Sequence, residues 1–284
     1  MTQDLVLTTG AEPLPEGEGW ATGAFTLDAH APGARWASVA ADLLANAAAW
    51  QSFDHVLVLD DGVHMSGAAI AELFRVMRQN ALQVAQPSLA WSNHFSDPTA
   101  LHNPSFVLRH TNRLDPAALA FSNAALRRWL PRMLALPGDL ALGRLLTMCD
   151  ESPLRASAVV DAAQAQRTLP PGAHETAPIA WPATLAGAGP QHEAATQWGG
   201  VGLRGRPVSL FDDTREEFLG LLATGYACAV AEPEPIGAVF LAHFARSLDP
   251  APQALHLDGG TAAPVPRLRR TPIIDHARAA GERA

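Results

Sequence analysis

The chain has 284 residues, 48% of them hydrophobic, and a formal net charge of -8. This length and apolar content suffice for one large α/β domain, or for a domain of ordinary size with an appendage. The acid excess argues against nonspecific nucleic-acid binding, which needs a basic face. All 20 basic residues are arginine, and the lack of lysine excludes P-loop, pyridoxal Schiff-base and protein-kinase sites.

Two isolated cysteines, Cys149 and Cys228, show neither metal-binding nor disulfide spacing and favour a reducing compartment. The N-terminus lacks the basic and apolar regions of a signal peptide. No apolar run approaches the roughly 18 residues that would span a bilayer. We therefore expect a cytoplasmic protein without a membrane span.

The hydrophobic pattern predicts alternating strands and helices along the chain. The expected strands are 4–8, 25–27, 55–59, 82–85, 106–110, 118–121 and 156–160. The expected helices are 35–50, 67–80, 123–130 behind a Ser122 cap, one that ends at 149, one that starts at 215, and 236–246. The strand 55–59 is almost wholly apolar, which is typical of a central strand covered on both faces. An α/β fold follows from this order of elements.

Proline, glycine and alanine dominate residues 170–190, which indicates a domain boundary near residue 180. We expect residues 1–180 to form the main domain. Residues 181–284 should be a loop-rich helical extension that ends in a tail.

Asp60 and Asp61 directly follow the strongest predicted strand. In open α/β sheets, ligands bind beyond the carboxyl ends of the strands, so these carboxylates are candidates to meet a ligand or its metal. The alternative is that they only cap the loop or the next helix. A Walker-B role is excluded because no lysine is present for a Walker-A loop.

Two weaker patterns receive no functional role. Residues 200–205 match G-x-G-x-x-G but precede Pro207 and open no helix, which favours a turn-rich loop. His94, Asp97 and His102 are unevenly spaced, and surface histidines explain them better than a metal site.

A set of segments in a fixed order carries a family resemblance. The segments are 53–62, 82–89, 108–112, 121–131 and 159–170. Together they resemble an uncharacterised-domain family of bacteria and plants, whose plant members are labelled lysine-ketoglutarate reductase trans-splicing related. The strand and acid pattern of that family is similar to GT-A glycosyltransferases. The resemblance, over residues 33–170, implies a GT-A-like (Rossmann-like) mixed, mostly parallel sheet flanked by helices, with a C-terminal helical extension.

The resemblance also implies a function, that of a glycosyltransferase-like protein that binds a nucleotide sugar, and a set of site residues. A nucleotide sugar and an acceptor would be the partners. Apart from the resemblance, a second copy of the chain is a further candidate, which the helices after residue 190 could bind. The implied nucleotide-sugar-binding residues are Asp60, Asp61, Arg109, Asn112, Asp115 and Arg167. Asp139 would be the general base that removes the acceptor proton. Asp115 and Asp139 have an alternative as loop or helix-capping acids.

Two departures from the family bear on metal binding. Gly62 replaces the last acid of an acid-x-acid triplet, and Arg167 replaces a histidine similar to a late metal ligand. Binding of magnesium or manganese should therefore be weakened or absent, and the metal ligands stay unknown. Either Arg167 replaces the metal and neutralises the diphosphate, or the chain is a catalytically inactive binding or interaction module. A third alternative is an unrelated α/β hydrolase or nuclease that uses the acid pair.

Overall fold

A computed structural model describes residues 4–9, 14–15, 17, 19–23, 35–90, 98–111, 114–134, 157–168, 197–209 and 212–230. Over these ranges the chain forms one mixed β-sheet with helices packed on both faces. None of the helices in this part of the chain is long and apolar enough to cross a membrane.

The sheet contains ten strands within the described residues. They are β1 (Asp4–Thr8), β2 (Trp20–Thr22), β3 (His55–Leu59), β4 (Val63–His64), β5 (Val84–Leu89), β6 (Phe106–Thr111), β7 (Ala118–Ser122), β8 (Ser157–Arg167), β9 (Gln197–Gly202) and β10 (Pro207–Ser209). Their spatial order is β10-β9-β6-β8-β5-β7-β3-β1-β2, and β4 pairs separately with β8.

The strand directions confirm the predicted mixed, mostly parallel sheet. β1 is parallel to β2 and β3, and β5 is parallel to β8. The antiparallel partners β6, β7 and β10 run against the other six strands of the main path. The carboxyl ends of β1, β3, β5 and β8 therefore lie along the same edge of the sheet.

Five α-helices and one short 3-10 helix, Pro98–Ala100, lie within the described residues. The α-helices are α1 (Arg35–Ala45), α2 (Ala47–Trp50), α3 (Gly67–Gln79), α4 (Asn123–Met133) and α5 (Arg215–Val230). Ser122 caps α4 as predicted, since its Oγ accepts a hydrogen bond from the Ala125 amide at 3.3 Å. α4 runs past the expected end at residue 130 and contains Pro131 in its last turn.

The sheet separates two hydrophobic cores. Along β3, Val56 and Val58 face one core and Leu57 and Leu59 face the other, because side chains alternate along a strand. The first core is covered by α1 and α4, and the second by α3 and α5. Burial on both faces explains why the whole of β3 is apolar.

β8 is longer than its sequence pattern predicts. It continues to Arg167, so Asp161 lies within the strand and not at its end. Its second half alternates between exposed residues and buried alanines, and alanine is depleted in strands. The predicted strand near residues 25–27 lies outside the described residues, as do the helices expected before 149 and at 236–246.

Residues 197–209 extend the same sheet. β9 pairs with β6, and a turn containing Gly205 (φ 75°) leads into β10. The G-x-G-x-x-G match is thus part of a hairpin, and a Cβ on Gly200 would lie 2.4 Å from the Leu108 carbonyl oxygen. The boundary near residue 180 falls outside the described residues and stays a prediction.

Candidate functional site

The loop after β3 is built around Asp60. The Asp60 amide donates to the Ala117 carbonyl at 2.8 Å, and the Val63 amide donates to the Asp60 carbonyl at 3.1 Å. Asp60 Oδ1 accepts hydrogen bonds from Thr9 Oγ1 (3.0 Å) and from the Asp61 amide (2.9 Å). The Asp60 carboxylate is therefore fixed at the end of β3, whereas the Asp61 side chain is exposed.

The backbone conformation at position 62 favours glycine. Its φ of 73° lies in the left-handed region, which glycine adopts without steric cost. The Gly62 carbonyl accepts hydrogen bonds from the amide (2.8 Å) and from Oγ1 (3.1 Å) of Thr168. In β4, Val63 lies opposite Arg167. The acid loop and the end of β8 are thus joined, although they are about a hundred residues apart in sequence.

Arg167 and Asp115 form a buried ion pair next to this loop. Arg167 Nη1 lies 3.3 Å from Asp115 Oδ2, and the side chains are only 4% and 3% exposed. Asp115 Oδ1 accepts a hydrogen bond from the Ala117 amide at 2.9 Å. Because the Ala117 carbonyl binds the Asp60 amide, a short path of contacts connects Arg167 to Asp60.

A cavity of about 250 Å³ opens beside the loop. Its wall combines the acid loop with residues from the end of β1 and from an apolar segment near it. The lining residues are Thr8, Leu14, Pro15, Leu59, Asp60, Asp61, Gly62, Val63, His64 and Met65. The cavity lining therefore combines carboxylate acceptors with apolar surface.

Four of the predicted site residues lie in or next to this loop: Asp60 and Asp61 line the cavity, whereas the ion-paired Asp115 and Arg167 are buried beside the loop and are not among the lining residues. Asn112 and Asp139 lie outside the described residues. The remaining one, Arg109, lies in a separate buried cluster.

Arg109 is fully buried and bonded within the protein. It forms a two-pronged ion pair with Asp161, from Nε to Oδ2 (2.7 Å) and from Nη2 to Oδ1 (2.8 Å). Nη1 donates to the Thr99 carbonyl and to Gln197 Oε1, both at 3.0 Å, and Nη2 donates to the Leu101 carbonyl at 2.7 Å. These contacts use all five guanidinium donors. In this arrangement every guanidinium donor of Arg109 is bonded within the protein, and a contact of Arg109 with a nucleotide sugar stays a prediction.

A second, larger cleft of about 870 Å³ adjoins the cavity. It lies between α3 and β8 and shares two wall residues, His64 and Met65, with the cavity. The other lining residues are Ser66, Ala68, Ala69, Glu72, His102, Asp161, Ala162, Gln164 and Gln166. Sequence analysis assigned no role to His102, because its uneven spacing from His94 and Asp97 favoured a surface histidine; the contact with Asp161 depends on the tertiary structure.

Burial shapes the ionisation of this cleft. It lowers the pKa of His102, and the nearby Asp161 carboxylate opposes that change. Burial also raises the pKa of Asp161, while the Arg109 ion pair and the Asn103 amide (2.7 Å from Oδ1) oppose it. Neutral imidazole is therefore the favoured form of His102 near neutral pH.

The donor set at the acid loop does not suit a divalent cation. Magnesium and manganese prefer several carboxylate or carbonyl oxygens. Here Gly62 supplies no side chain, Asp60 Oδ1 already holds two donors, and a guanidinium lies close by. Within the described ranges, no three His, Cys, Asp or Glu side chains are grouped so that they could hold a metal.

No family model matches the chain, and no curated protein sequence matches it. Among solved structures, it is similar to the crystal structure of S. aureus TarS 1-349 in complex with UDP-GlcNAc, with 11% sequence identity and a TM-score of 0.38. The match covers 87% of this chain and 72% of the TarS chain. This likeness is too slight to transfer any property of TarS, so the family suggested by the sequence stays a prediction.

Proposed function

We propose that this chain is a glycosyltransferase-like protein of the cytoplasm that binds a nucleotide sugar in the cavity beside β3, without needing a divalent cation. The observation that carries the proposal is the position of the Asp60 and Asp61 carboxylates on the wall of that cavity. They lie beyond the carboxyl ends of the parallel strands β1 and β3, where α/β proteins bind nucleotides.

The wall chemistry suits a nucleoside. A carboxylate after a strand is a good acceptor for ribose hydroxyls, as in dinucleotide-binding folds. Asp60 is held for this role by Thr9 and the Asp61 amide. Leu14 and Pro15 supply apolar surface against which a flat base can pack.

Arg167 would neutralise the diphosphate in place of a metal. Its guanidinium stays charged at every accessible pH and can bind two phosphate oxygens at once. In this proposal the diphosphate shares Arg167 with Asp115, which lies 3.3 Å away. Two roles stay predictions: Asn112 as a further contact to the nucleotide sugar and Asp139 as the general base. The acceptor is not identified.

Thermal unfolding with and without ligands tests the proposal. The ligands are UDP, GDP, UDP-glucose, UDP-GlcNAc and GDP-mannose, each with manganese or with EDTA. A ligand at a hundred times its Kd stabilises by about 2.7 kcal/mol, so one of them should raise Tm by roughly 5–10 °C, equally with EDTA.

The variant that separates binding from folding is Asp60→Asn. Its side-chain oxygen can still accept from Thr9, so the fold should hold, but the charge that attracts ribose hydroxyls is lost. Asp54→Asn is the matched control, because Asp54 is exposed and precedes β3 at its opposite end. No shift with any nucleotide would overturn the proposal, and a shift seen only with manganese would overturn metal independence.

A catalytically inactive binding module is the second candidate. The Arg167–Asp115 pair favours it, because burial to 4% exposure leaves Arg167 occupied by another protein group. This candidate predicts a nucleotide-induced rise in Tm with no release of nucleoside diphosphate from any nucleotide sugar. Measuring both properties on the same preparation separates it from a transferase.

A further inference from the structure

We infer that His102 is the group that takes the proton from the acceptor hydroxyl, and that the acceptor binds in the cleft between α3 and β8. The inference rests on the proposed function and adds to it the acceptor site and the base. It gives His102 the role that the family resemblance gives to Asp139.

The hydrogen bonds of the imidazole ring identify its free nitrogen. His102 Nδ1 lies 3.4 Å from Ser88 Oγ and 3.8 Å from Asp161 Oδ1. Ser88 Oγ uses its own hydrogen toward the Ala163 carbonyl at 3.3 Å, so it acts as an acceptor toward His102. Both neighbours of Nδ1 are then acceptors, which places the proton on Nδ1. Nε2 is left with an open lone pair.

Nε2 is the nitrogen that faces the cleft. Ser88 and Asp161 are 0% and 2% exposed, so Nδ1 points to the interior. The ring itself is 21% exposed and lines the cleft. Nε2 is therefore the ring nitrogen that a ligand in the cleft would meet, and in the neutral ring with its proton on Nδ1 it can accept a proton.

Buried contacts hold the ring in place. The His102 amide donates to the Leu89 carbonyl at the end of β5, at 2.8 Å. Asp161 is fixed by the two-pronged pair with Arg109 and by the Asn103 amide at 2.7 Å. Asp161 is thus a positioning residue that orients the imidazole and would stabilise its charged form. Such supporting contacts are what a precise proton acceptor requires.

The cleft suits a hydroxyl-rich acceptor next to the donor. Its volume of about 870 Å³ is within the usual range for small-molecule sites. Gln164, Gln166 and Glu72 line it and offer donors and acceptors to hydroxyl groups. His64 and Met65 are shared with the nucleotide cavity, so an acceptor here would lie beside the sugar.

The reaction balances with these groups alone. The acceptor oxygen forms a bond to the anomeric carbon while its proton moves to Nε2. The bond from the anomeric carbon to the diphosphate oxygen breaks, and its electron pair leaves with the nucleoside diphosphate. The imidazolium formed on His102 faces the Asp161 carboxylate, and it later returns its proton to solvent.

The same geometry excludes Ser88, His102 and Asp161 as the triad of a serine hydrolase. Ser88 is fully buried and lies at the same ring nitrogen as Asp161. A Ser-His-Asp triad needs the serine and the acid on opposite nitrogens of the histidine. Ser88 is therefore a support for the ring and not a nucleophile.

The test uses the nucleotide sugar that stabilises the wild-type protein. Release of nucleoside diphosphate is measured with water, glucose, mannose or N-acetylglucosamine as acceptor, for wild type, His102→Gln, Asp139→Asn and His110→Gln. General-base catalysis contributes about 10²–10⁴-fold, so His102→Gln should lower kcat by about 100-fold or more while the ligand-induced rise in Tm is kept. His110 lines neither cavity, so His110→Gln should match wild type.

The pH profile supplies a readout that a structural role would not change. Wild-type kcat should rise with pH as His102 loses its proton, and His102→Gln should lose this limb. The charged or titratable groups around His102 are Asp161, Arg109, Glu72 and His64, and they are unchanged in the variant.

Each other outcome has a definite meaning. Donor binding without any release of diphosphate overturns the role of His102 and leaves the nucleotide cavity intact. Loss of kcat in Asp139→Asn but not in His102→Gln returns the role of base to Asp139. Absence of nucleotide binding overturns the proposed function itself, and this inference with it.

Discussion

Replacement of Arg109 by methionine tests whether the Arg109–Asp161 pair supports the fold. Both side chains are 0% exposed and are joined by two short hydrogen bonds. Methionine fills part of the volume but removes the charge and all five donors. Asp161 would keep the Asn103 amide as its hydrogen-bond donor, and the Thr99 and Leu101 carbonyls would lose the hydrogen bonds from Arg109.

The expected cost follows from this burial. Removing one partner of a buried ion pair destabilises by about 3–5 kcal/mol, because the other charge is left without compensation. For a domain of this size, 1 kcal/mol corresponds to roughly 2–4 °C in Tm, so the variant should melt about 6–20 °C lower. Replacing Asp161 by leucine in the same chain should recover part of this loss, since an apolar pair leaves no buried charge.

Urea unfolding followed by tryptophan fluorescence measures these changes. Arg75→Met is the matched control, because Arg75 pairs with Glu72 on the surface of α3 and is 45% exposed. Exposed ion pairs contribute about 0.2–1 kcal/mol, so the control should stay close to wild type. Equal stability of the two variants would refute the reasoning and would return Arg109 to the set of ligand-binding candidates.

Two further changes test packing and ionisation. Gly225→Ala should lower the free energy of unfolding by about 1–3 kcal/mol, because its Cβ would lie 1.7 Å from Asn103 Oδ1. Gly220→Ala in the same helix is the control, since its Cβ would meet nothing within 4 Å, and it should be neutral or stabilising. Equal effects of the two changes on urea unfolding would contradict this packing. Because the pKa of His102 is lowered in the folded state, the unfolded chain binds more protons below the ordinary histidine pKa, so stability should fall as pH drops through that value. His102→Gln should weaken this dependence in urea titrations at pH 5 and 8, and an unchanged slope would argue against a perturbed His102.

The acid loop could be predicted because its signal is local. An apolar strand followed by Asp60-Asp61-Gly62 predicts that the chain leaves the core at residue 60, and that these residues lie at the edge of the sheet. Similar reasoning gave the Ser122 cap and the strands β1, β3 and β7. The family resemblance suggested that Arg167 belongs to the same site, which stays a prediction; in the structure Val63 of β4 lies opposite Arg167 of β8.

The partners of the buried charges could not be predicted. Arg109 and Asp161, like Asp115 and Arg167, are 52 residues apart in sequence. Alternation along a strand tells which residues share a face, but it does not tell which strands are neighbours or in what register. A charged residue in a strand is normally exposed, and it is fully buried only when it is paired. Because the sequence does not show that Asp161 is the partner of Arg109, the burial of Arg109 could not be predicted.

The sequence by itself determined that this is an α/β chain with an acid pair at the end of a buried strand, because periodicity and turn residues act over a few positions. The tertiary structure decided which polar side chains meet. It joined Arg109 to Asp161, paired Arg167 with Asp115, and placed His102 next to Leu89 of β5 and Asp161 of β8. These contacts depend on strand order and register, which are set by the packing of the whole sheet and not by any local segment.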